Sequence, residues 1–131
     1  MTRDNQFAEY CRRVCEAQGW ELLPTGINVR FGDGRHQLVS LELFELGREM
    51  LVRLSSGIGD VAALSREQLE SALQHNAELA HGALAIRGAE LCMTDTLMVE
   101  ATGPAEIEAA VEYLANLADV YENTFFGTDV H

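Results

Sequence analysis

Between Ile27 and Leu54 the chain alternates apolar and polar residues, whereas on both sides of that stretch the apolar residues recur every three or four positions. The first pattern is that of a half-buried strand and the second that of an amphipathic helix. Phe7, Cys11, Val14 and Cys15 share one face of a predicted helix from about Asp4 to Gln18, with Arg12, Arg13 and Glu16 opposite. Asp4 suits its N-cap and Gly19 its end. Ile27, Val29 and Phe31 then alternate with Asn28 and Arg30, and Asp33-Gly34 signals a hairpin. A second strand is predicted from His36 to about Leu46, with Val39, Leu41 and Leu43 in phase, and a third from Glu49 to Leu54. Ser55 to Asp60, SSGIGD, reads as an exit loop.

Ser65 and Gln68 fit a capping box for a second helix running to His81, where Gly82 stops it. Ala83 to Arg87 and Glu90 to Thr96 flank Gly88-Ala89 as a further hairpin. Pro104 suits the first position of a last helix reaching roughly Phe126. The expected fold is α+β, in the order α-β-β-β-α-β-β-α, an antiparallel sheet packed against helices in a single domain spanning 1–131.

Two helical faces suggest contacts with other chains. On a helical wheel Leu69, Ala72, Leu73, Ala77, Leu79 and Ala80 form one apolar arc, and Asn76 falls inside it. A buried amide needs partners at both ends, either an irregular backbone segment or its symmetry mate in a dimer. In the last helix Ile107, Val111, Leu114, Ala118, Tyr121 and Phe125 make a core stripe. Ala109, Tyr113 and Val120 form a second, thinner stripe. Leu73, Asn76, Ala80, Tyr113 and Val120 are therefore the candidate dimer or partner contacts.

The charge narrows the partners. Nine basic residues against 21 acidic ones give a net charge of −12, which repels phosphate backbones and anionic lipid. Nucleic-acid and membrane-surface roles are not expected; basic or amphipathic peptides suit the balance better. Cys11, Cys15 and Cys92 form neither an even disulfide framework nor a CxxC motif. The opening MTRDNQFAEYC lacks a signal-peptide pattern, and no apolar run approaches the ~20 residues of a membrane span. A cytoplasmic protein with reduced thiols is expected.

Candidate chemistry is sparse. HNAELAHG, residues 75 to 82, places His75 and His81 about 120° apart around a helix and roughly 9 Å along it, unlike the stacked spacing of zinc pairs. Gly57 to Ala62, GIGDVA, matches a dinucleotide fingerprint, but the predicted helix begins too late to meet a phosphate and the neighbouring strands read as hairpins. Cys11 and Cys15 read as small buried hydrophobes. No catalytic, cofactor-binding or metal-ligating set is expected, and the domain is expected to be no enzyme. The alternative is a small-ligand sensor or enzyme using the sheet face, with His36, His75 or His81 as its polar groups.

The stretch LSREQLESALQHNAELAHGALAIRGAELCMTDTLMVE, followed by TGPAEIEAAVEYLANLADVYE, resembles the type III secretion chaperone-like superfamily. That group includes the Tir-chaperone (CesT-like) family and the YbjN-type bacterial regulators. The likeness lies in element order, acidity and packing pattern, and it covers nearly the whole chain without a catalytic signature. It implies helices packed on an antiparallel sheet, a homodimer, and a chaperone- or adaptor-like role in holding an extended segment of a partner protein.

Overall fold

The computed structural model describes residues 3–127. It is an α+β fold whose six strands form one antiparallel sheet. In chain order the elements are α1 (Arg3–Gln18), β1 (Glu21–Leu23), β2 (Gly26–Arg30), β3 (His36–Leu46), β4 (Glu49–Asp60), α2 (Arg66–Asn76), β5 (Ala83–Arg87), β6 (Glu90–Met98) and α3 (Pro104–Phe126). Short 3-10 turns at Val61–Ala63 and Val99–Ala101 lead into the second and third helices. Across the sheet the order is β1-β2-β3-β4-β6-β5, so β5, although fifth in sequence, is an outer edge.

The helices lie on the face that carries Ile27, Val39, Val52, Leu54 and Met93, all nearly or wholly inaccessible. The expected stripes are the buried ones. Phe7, Cys11, Val14 and Cys15 of α1 are in the core, as are Ile107, Val111, Leu114, Ala118, Tyr121 and Phe125 of α3. Gly19, at φ 75°, ends α1 with its N–H donating to the Cys15 carbonyl. Glu106 reaches back to accept from the Gly103 N–H and closes the first turn of α3. Arg35 bonds both Asp33 and Asp119, tying the β2–β3 hairpin to α3.

Three boundaries differ from expectation. Glu21–Leu23 forms an extra strand, too short before Pro24 to show an alternating pattern. β4 does not stop at Leu54 but continues to Asp60 through the expected loop. Gly59 is a packing glycine, since a Cβ there would lie 2.4 Å from the Phe126 ring, whereas at Gly57 a Cβ would meet only the flexible carboxylate end of exposed Glu90. A register shift between them marks a bulge, which bends a strand locally. GIGDVA is therefore strand and 3-10 turn, and no helix begins at its second glycine. Finally, α2 ends at Asn76 instead of His81, because that side chain bonds the backbone of β5.

Gly26 supplies a test of the sheet's closest approach. A Cβ there would sit 2.3 Å from the Val39 carbonyl oxygen, a backbone atom that cannot turn aside. Gly26→Ala should cost about 1–3 kcal/mol in urea denaturation. Gly32→Ala, with open space around it, should stay within about 0.5 kcal/mol of the parent. Equal effects at the two positions would contradict the β2–β3 packing.

Candidate functional site

Antiparallel pairing turns the N–H and C=O of alternate residues toward opposite neighbours. In β5 those of Leu84 and Ile86 face away from β6, toward the open side of the sheet. Asn76 answers the first pair. Its Nδ2 donates to the Leu84 carbonyl at 3.0 Å, and its Oδ1 accepts from the Leu84 N–H at 2.7 Å. One carboxamide thus supplies both bonds that a facing strand would supply. Of the two partners considered for this amide, the backbone segment is the one it has. Its side chain is half-buried and bonded within the chain.

Beyond Leu84 the edge is open and apolar. Ile86 is 54% exposed and Leu73 of α2 is 69% exposed. With Leu69, Ala72, Leu84 and Leu91 they line an almost wholly apolar groove of about 180 Å³ between α2 and β5. The expected apolar arc is only partly covered: Ala72 is buried, Leu69 and Leu79 are half-buried, and Leu73, Ala77 and Ala80 are exposed. The helix is held instead by its flanks. Gln68 Nε2 donates to the Phe125 carbonyl at 3.3 Å, and the His75 ring meets Tyr121 and Phe125 edge-on with centroids 5.5 and 6.5 Å away.

The other expected contacts scatter. Ala80 and Val120 are exposed, whereas Tyr113 is half-buried with its ring 5.8 Å from that of His81. Tyr113 and His81 border a larger groove of about 350 Å³ along α3. Its carboxylates are already engaged, Asp95 by the Thr96 N–H and Glu106 by the Gly103 N–H. The histidines do not converge either. His75 and His81 pack on α3, whereas His36 lies on β3 with Nδ1 at 3.1 Å from Asn28 Oδ1. Among the described residues no group of three His, Cys, Asp or Glu is placed to hold a metal, and no helix is long and apolar enough to cross a membrane.

The thiols are poor nucleophiles. Burial, reinforced by neighbouring Cys15, pushes Cys11 up to about 12, and burial also raises Cys15 and Cys92. Such shifts suppress the thiolate form that reacts. On the sheet face opposite the helices, Phe44, Leu51 and Met98 align across three strands, with the Arg53 guanidinium 4.4 Å over Phe44. Ile86 and Leu84 were not singled out by sequence. Their in-phase pairing with Leu91 and Met93 was readable, but the edge position of their strand depends on the sheet order. No family model matches the chain, and no curated protein matches it significantly.

Asn76→Ala leaves both polar groups of Leu84 without that partner and should cost about 1–3 kcal/mol. His75→Ala, expected from sequence alone to lie on a polar face, should lose about 0.5–1.5 kcal/mol of aromatic contact. Urea denaturation of both variants checks the order: a neutral Asn76→Ala beside a costly His75→Ala would mean that the histidine, not the amide, anchors the end of α2.

Proposed function

We propose that the domain is a non-enzymatic binding module, chaperone- or adaptor-like, that holds an extended segment of a partner protein along β5. The observation that carries this reading is the exposed Ile86 on an outer strand beside an apolar groove. Strand addition combines main-chain bonds at a sheet edge with pockets for alternate side chains. The groove fits that use by size: about 180 Å³ accepts one or two side chains and falls below the roughly 300–1,000 Å³ of small-molecule pockets. Leu73, a candidate dimer contact by sequence, belongs to this partner groove.

Charge selects among segments. With a net charge of −12, and Glu67 exposed on α2 beside the Arg66–Glu70 pair, a segment bearing Lys or Arg is steered in, whereas acidic chains are repelled. The resemblance to secretion chaperones supports the same class of partner, an unfolded or extended stretch of protein.

A displayed library of random peptides tests the reading. Panning on the parent should enrich sequences that alternate apolar and polar residues and carry basic side chains. Their binding should fall at least about tenfold with Ile86→Lys or Leu73→Glu, the loss expected when a charge enters an apolar contact. Enriched peptides that bind both variants as well as the parent would place the site elsewhere.

A further inference from the structure

Asn76 occupies the position a partner strand would need. Of the two outward backbone pairs in the regular part of β5, the Leu84 pair is bonded to Asn76 and the Ile86 pair is not. A segment docking against β5 as it stands gains main-chain bonds only at Ile86. A segment that also pairs with Leu84 must first displace the Asn76 amide. Resting on the strand-addition reading, we infer that Asn76 is an intramolecular latch: a stand-in for one residue of the partner strand, which shortens the open edge until a basic, extended segment of another protein replaces it.

Three features of the molecule fit a contact that is exchanged. The carboxamide reproduces a strand's paired donor and acceptor, so replacement conserves the number of hydrogen bonds. Asn76 is the last residue of α2, where the tightened turn from Gln74 to Glu78 follows and a side chain can leave without unwinding the helix interior. The His75 ring next to it packs on Tyr121 and Phe125, so the helix stays seated while the Asn76 side chain leaves. Unblocked edges invite pairing with any exposed strand, and proteins commonly cover them. Here the cover is a single side chain. The occupant is a basic segment and not a second copy because two copies would bring a net charge of −12 against another −12.

The probe is an acetylated, amidated peptide of alternating lysine and valine, with amide exchange followed by nuclear magnetic resonance. In the free parent, the Leu84 N–H and the Asn76 side-chain amide should exchange slowly and the Ile86 N–H quickly. Saturation with peptide should protect Ile86, keep Leu84 protected and release the Asn76 side chain, a result that needs no substitution. Asn76→Ala should make Leu84 exchange as fast as Ile86 and bind the peptide about tenfold tighter, the gain from two uncontested main-chain bonds. Unchanged Leu84 protection in Asn76→Ala, or equal peptide affinity in both proteins, would overturn the latch and leave strand addition standing. Binding to neither protein would remove strand addition and the latch together. Dimerisation of Asn76→Ala, abolished by adding Ile86→Lys, would make the occupant a second copy and overturn the basic partner.

Discussion

The packing of α3 across the middle of the sheet is the constraint from which the rest follows. Ile107, Val111, Leu114, Ala115 and Ala118 are at 1% exposure or less, and the helix meets β2, β3, β4 and β6. Burying a large aliphatic side chain stabilises a fold by about 1.5–3 kcal/mol, so this seam supplies much of the core. With α1 placed beside it toward β1, the two helices use up the central face. What remains for α2 is the margin over β5. A helix at a margin cannot bury a wide stripe, so Leu73 stays in water and polar and aromatic contacts do the holding.

That arrangement also decides how the two ends of the sheet are treated. At one end β1 is only three residues long, a short edge that offers few unpaired groups. At the other end β5 is longer and carries Ile86, and its exposed backbone is answered only at Leu84, by Asn76. The same residue thus ends α2 and starts the cover of the sheet edge.

Much of this was legible in the sequence because it rests on local period. The core stripes of α1 and α3 are read directly from spacing, and β3 from its alternation. The extended β4 was not, since Gly57 and Gly59 signal a loop until the Phe126 ring that needs the space at Gly59 is seen beside it. The amide of Asn76 stood out as a polar residue on an apolar arc, but its bonds to the Leu84 backbone depend on where the helix sits against β5. A helical wheel shows which residues share a face, not whether anything covers it. Sheet order is equally silent in the period, which is why Ile86 was missed although its neighbours were in phase.

Partner binding at β5 is tested most directly by chemical-shift mapping with a peptide selected by the parent protein. Backbone resonances of residues 69–73 and 84–88 should move together and saturate at one concentration, while Phe44, Leu51 and Met98 on the opposite face remain in place. Shifts centred on those three residues, with Ile86 and Leu73 unmoved, would show that partners meet the uncovered face of the sheet, and the edge-strand account would fail.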